Sequence, residues 1–109
     1  MRASLIMAAM FAITPLAGAA ADTPSFSLTI RNHRFEPAEL VVPVDQKIEL
    51  RVINQDPTPE EFESSDLHRE KVVPGGKQIS VFIGPLKAGS YEFFGDFNRA
   101  TARGHIVAK

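Results

Sequence analysis

The chain has no cysteine and no tryptophan, and a single tyrosine. Without a thiol there is no disulfide, no thiolate nucleophile and no copper–thiolate bond. No excess of positive charge exists either: 12 Lys and Arg stand against 13 Asp and Glu. A nucleic-acid binder would carry a basic stripe, so that class is set aside. No glycine-rich phosphate loop and no Ser/His/Asp arrangement in recognisable context occurs, which argues against phosphoryl transfer and hydrolysis. After the first 21 residues no apolar run is long enough to cross a bilayer. Amphipathic stretches with a helical period are also missing. Glu60–Glu70 is the one stretch where a short helical turn is expected to fit.

What is present begins with a leader. Met1 and Arg2 precede an apolar run ending in small residues at Ala17, Ala19 and Ala21. This pattern predicts a secretory signal peptide over residues 1–21, cleaved after Ala19 or Ala21, and hence an exported protein. The rival reading, an uncleaved anchor, is weakened by Pro15 and Gly18 in a run barely long enough to span. Residues 22–109 then form one small domain with no transmembrane segment.

Beyond the leader, the period is two. Phe26, Leu28 and Ile30 alternate with polar neighbours, as do Ile48, Leu50 and Val52, and then Ile79, Val81 and Ile83. Leu40–Pro43, Arg69–Val73, Tyr91–Phe94 and Gly104–Ala108 complete about seven short strands separated by Pro and Gly turns. The expected fold class is an all-β Greek-key sandwich. Leu86-Lys87-Ala88-Gly89-Ser90-Tyr91 predicts a tyrosine corner, with the phenol bonded back to the backbone. Strand parity predicts that the segments Asn32–Pro37, Gln55–Phe62 and Asp96–Arg103 gather at one end, where sandwiches carry their binding groups.

The chemistry-bearing residues crowd into one segment. Asp56, Glu60, Glu61, Glu63, Asp66 and Glu70 lie within it, with His68 and Arg69. In an extended Glu61-Phe62-Glu63 the two carboxylates share a face. Carboxylates with an imidazole suit borderline-to-hard cations such as Cu(II), iron or manganese. The metal-ligand candidates are therefore Glu61, Glu63, Asp66, His68, Asp96 and His105, with His33 a further imidazole near the same end. The alternative is a solvated acidic loop with Glu63 paired to Arg69 or Lys71.

Several stretches resemble a known family. They are Phe35-Glu36-Pro37-Ala38-Glu39-Leu40, Pro59–Ser64, Arg69–Pro74, Gly84-Pro85-Leu86 with Gly89 and Tyr91, and Phe93-Phe94-Gly95-Asp96-Phe97 with Ala100-Thr101-Ala102. Together they resemble the EfeO-type cupredoxin-like domain, and within it the small periplasmic cupredoxin component of bacterial ferrous-iron transport systems. The resemblance implies a copper or iron cofactor and assistance to Fe(II) oxidation before transport. It also implies a periplasmic iron-binding partner and an inner-membrane iron permease as associates. By the same resemblance the chain would be at most a weak or partner-dependent ferroxidase. Two positions depart from electron-transfer cupredoxins: Gly95 stands where the copper thiolate would be, and Asn98 where a histidine would be. A type 1 blue-copper centre is therefore not expected. A metal-free docking module and a copper carrier are the alternative functions.

Overall fold

The computed structural model describes residues 23–109, and the expected signal peptide lies outside them. Nine strands appear among the described residues: β1 Ser25–Arg31, β2 Arg34–Glu36, β3 Glu39–Val42, β4 Ile48–Asn54, β5 Glu60–Ser64, β6 Arg69–Val73, β7 Gln78–Ile83, β8 Gly89–Gly95 and β9 Arg103–Ala108. One 3-10 turn, Asp96–Asn98, follows β8. The strands form a sandwich of two sheets, ordered β2-β1-β4-β7 and β3-β9-β8-β5-β6. Among the described residues no helix is long and apolar enough to cross a membrane. The all-β expectation holds, with two strands more than the alternation revealed. Glu60–Glu70 is a β-hairpin with a turn, and the helical turn expected there is instead at Asp96–Asn98.

The alternating residues supply the core. Leu28 and Ile30 of β1, Ile48, Leu50 and Val52 of β4, and Val81 and Ile83 of β7 face Val42, Phe62, Val73, Phe93 and Ile106 of the second sheet. Phe35, Phe62 and Phe93 form its aromatic centre. Phe35 meets Phe93 edge-on at 4.9 Å between centroids, and Phe62 stacks on Phe93 at 5.5 Å. Such contacts add to the apolar area that the three rings bury.

Two local devices fix the ends of the sandwich. Tyr91 Oη donates to the Lys87 carbonyl at 2.8 Å, so the expected tyrosine corner is present. At the other end, β1 runs parallel to β4, which brings Asn32 and Gln55 to the same edge. Asn32 and His33 have φ of 53° and 56°, the left-handed pair of a two-residue hairpin turn. Asp56 holds that turn, accepting the Asn32 and His33 amides at 2.8 and 2.9 Å. Asn54, almost fully buried, donates to the Thr58 and Val73 carbonyls and accepts the Asp56 amide. Asp56 is thus absorbed in the backbone of the loop end. The three segments expected there do converge, since Glu60 at the end of the second also bonds to Phe97 of the third.

Candidate metal centre

Strand β5 has the burial alternation of a sandwich strand, with Glu60, Phe62 and Ser64 inward and Glu61 and Glu63 outward. Its neighbour β6 runs antiparallel with Glu63 opposite Glu70. On the other side β8 pairs Phe94 with Glu63. The outer surface of these strands therefore collects acids from three chain segments. Glu61, Glu63 and Glu70 each bring a carboxylate oxygen to a common point, all within 4.8 Å of one another. Asp96, just beyond β8, completes the group.

The electrostatics follow from that crowding. Partial burial pushes the Glu61 carboxyl above its usual range, and the negative charges of Glu70, Asp96 and Glu63 push it further. Partial burial likewise raises Glu63, reinforced by Asp96 and Glu70 and opposed by Arg99. One Glu63 oxygen, Oε2, is shielded from solvent and accepts no hydrogen bond. The Arg99 guanidinium stands 3.8 Å from it, bonds to Asp96 Oδ1 through Nε at 2.6 Å, and lies over the Phe94 ring. One tethered cation thus sits at the edge of four carboxylates. Oxygen-only donors of this kind suit hard cations, and anions crowded together relax when one binds.

The six expected ligands separate. Glu61, Glu63 and Asp96 come together, and Glu70 joins them. Asp66 lies in the β5–β6 turn and accepts the Glu92 amide at 2.9 Å. His68, also in the turn at φ 56°, shares an open depression with Glu63 and Glu70 but is outside the converging group. His105 is exposed on β9, in register with Glu92 and Glu39 two strands from β5. His33 stays at the loop end, its Nε2 3.5 Å from Thr58 Oγ1. The alternative pairing of Glu63 with Arg69 or Lys71 does not occur. Those two side chains donate to the Phe82 and Ser80 carbonyls of β7, closing the open side between the sheets.

Glu70 was hidden in the sequence because its proximity depends on hairpin register. Glu60 was hidden differently. It has the parity of Phe62, so the rule that pairs Glu61 with Glu63 also turns Glu60 inward. It is 1% exposed. The position next to it tests whether a blue-copper centre fits. A Cβ placed on Gly95 would lie 2.6 Å from the Glu60 carboxyl carbon and 2.8 Å from the Ala102 Cβ. Glu60 Oε2 accepts the Asn98 side-chain amide at 2.6 Å. With neither thiolate nor imidazole at Gly95 and Asn98, and a carboxylate packed between them, the residues present do not fit that centre.

Comparisons with known proteins bear on the fold. The model of the cupredoxin-like domain family matches residues 3–108. An uncharacterized protein of Rickettsia prowazekii (strain Madrid E) is 50% identical over 80 residues, covering 73% of this chain; the chain spans 64% of that relative's length. Among solved structures, auracyanin A, a blue copper protein of Chloroflexus aurantiacus, superposes with a TM-score of 0.69 at 13% identity, over 78% of this chain and 98% of its own. The metal-binding domain of the Streptococcus pneumoniae Cu(I)-exporting P-type ATPase, solved with Cu(I), superposes at 0.69 with 11% identity, over 78% and 84%. At such identities these two structures establish the fold, a two-sheet all-β sandwich shared with copper-binding proteins. Fold, topology and family match together place this chain in the cupredoxin-like domain family.

Proposed function

We propose that the protein is a periplasmic metal-binding accessory of ferrous-iron uptake, holding its cation on the outer face of β5 and β6 rather than at the loop end. The observation that carries this reading is the convergence of Glu61, Glu63 and Glu70 on one point, with two of their carboxyls raised by partial burial and then by mutual repulsion. A bound cation would relieve that repulsion. Carboxylate donors also favour Fe(III) over Fe(II), because the smaller, more highly charged ion gains more from anionic oxygen. Such a site would ease oxidation of iron before transport, the electron passing to oxygen, to copper or to a redox partner. Copper held by carboxylates remains a second cargo, in keeping with the fold's copper-binding neighbours. The leader at residues 1–21 supports export, and the iron permease and its periplasmic binding protein are the associates this role requires.

The test is the elemental content of the untagged protein isolated from its native periplasm, beside growth under iron limitation of a deletion strain complemented with Glu61→Gln/Glu63→Gln. Stoichiometric iron or copper and failure of the variant to complement are expected. Metal-free protein with full complementation by the variant would favour the second reading, a docking module using the same acidic face. Arg99, which already offsets part of the cluster's charge, is the observation favouring that alternative.

A further inference from the structure

The loop end of the sandwich is where β8 hands over to the 3-10 turn. There the sequence departs from copper cupredoxins at Gly95 and Asn98. The departure is not a gap. The Glu60 side chain reaches into the position from β5 and is sealed in, 1% exposed. Its Oε1 accepts the Glu61 amide at 3.0 Å and the Phe97 amide at 2.8 Å, and its Oε2 accepts the Asn98 side-chain amide at 2.6 Å. Each of these partners is a donor pointing inward. A metal centre requires lone pairs aimed at a cation; here N–H groups are aimed at an anion.

From this we infer that the metal pole of the fold has been inverted into an anion cradle, and that Glu60 is its built-in ligand. The Phe97 amide and the Asn98 amide belong to the turn Asp96–Asn98, so the carboxylate fastens that turn to β5. The Asn98 carbonyl in turn accepts the Ala102 and Thr101 amides, and the Gly95 amide bonds to the Ala102 carbonyl. The whole β8–β9 connection is therefore anchored on one buried carboxyl group. Gly95 is the matching half of the device: any side chain there would collide with the Glu60 carboxyl and with Ala102. A donor-lined position closed by a carboxylate rejects cations, since a metal would meet N–H hydrogens and lose the Glu60 oxygens to their existing bonds.

Shortening Glu60 to Ala opens a small hole lined by donors that have lost their acceptor. Such a hole should take a free small carboxylate. Formate or acetate, compared at equal ionic strength with chloride, should restore part of the melting temperature lost by Glu60→Ala and leave the wild type unmoved. Added Cu(II) should not restore it. If the alanine variant does not fold, Glu60→Gln provides the decisive arm. It keeps the shape of Glu60, and its Cu(II) and Mn(II) affinities should equal wild type within about twofold while its melting temperature falls. Three results would overturn the inference: rescue of Glu60→Ala by Cu(II), equal response to chloride and formate, or loss of metal binding in a folded Glu60→Gln. The first two do not depend on whether the outer carboxylate face binds metal, and the third is read against the wild-type affinity that Glu61→Gln/Glu63→Gln assigns to that face.

Discussion

Arg99 is the residue whose chemistry most directly opposes metal binding. Its guanidinium pairs with Asp96, approaches Glu63 and rests on Phe94, while the Arg103 side chain holds its carbonyl. A cation entering among Glu61, Glu63 and Glu70 must share its anions with that fixed charge. Arg99→Gln should therefore tighten Mn(II) binding about tenfold at low salt, from the Coulomb energy of one unit charge a few ångströms away in a partly solvated site. The gain should shrink as salt screens it. Titration followed by the electron paramagnetic resonance of free Mn(II) measures both. The raised carboxyls give a pH prediction. A carboxyl whose folded pKa lies above its unfolded value of about 4.5 contributes stability below that value, and the contribution is lost as pH rises through the folded pKa. In chelator, Glu61→Gln/Glu63→Gln should thus melt above wild type at neutral pH, the two converging near pH 4. At this scale the sequence was partly legible. Glu61 and Glu63 share a face by local parity, whereas Glu70, Asp96 and Arg99 arrive through pairing that no local pattern records. The histidines stand beside other acids: His68 shares a depression with Glu63 and Glu70, and His105 lies in register with Glu92 and Glu39, so neither joins the point where Glu61, Glu63 and Glu70 converge.

At the scale of elements, the legible strands were those with apolar residues at every second position. Strand β1, β4 and β7 have them, and the structure puts those residues in the core. Strand β5 did not show itself because two of its three inward residues, Glu60 and Ser64, are polar. Both are satisfied inside: Ser64 Oγ donates to the Glu92 carbonyl at 2.6 Å and accepts the Leu67 amide at 3.1 Å. A polar residue bonded on the inner face breaks the binary pattern without breaking the strand. Strand β2 escaped because it has three residues and exists through its hairpin with β1. The connection after β4 rests on Asn54, which serves two carbonyls and one amide in the interior. Asn54→Ala leaves those groups buried and unpaired. It should cost about 2–4 kcal/mol, more than one unsatisfied group alone. Tyr91→Phe removes one partly exposed bond and should cost about 1 kcal/mol. Urea denaturation of the two variants should keep that order.

Over the whole molecule, fold class and the gathering of loops at one end were within reach of the sequence, because alternation, turn residues and the tyrosine corner are local signals that agree. The location of the candidate site was not, because the fold directs attention to the loop end while the carboxylates collect on a sheet face. The two regions touch the same strand: β5 turns Glu60 into the loop end and Glu61 and Glu63 outward. Absorption after adding Cu(II) should reflect this division, showing the weak d–d bands of oxygen or nitrogen ligands and no intense blue band. The central claim is that Glu61, Glu63 and Glu70 hold the cation. Calorimetric titration of Mn(II) and Cu(II) into untagged protein, wild type against Glu61→Gln/Glu63→Gln, tests it most directly. The account predicts one site per chain, lost or weakened at least about thirtyfold in the double variant as two anionic donors become neutral amides. Equal affinity in the two proteins, with the variant folded, would contradict it.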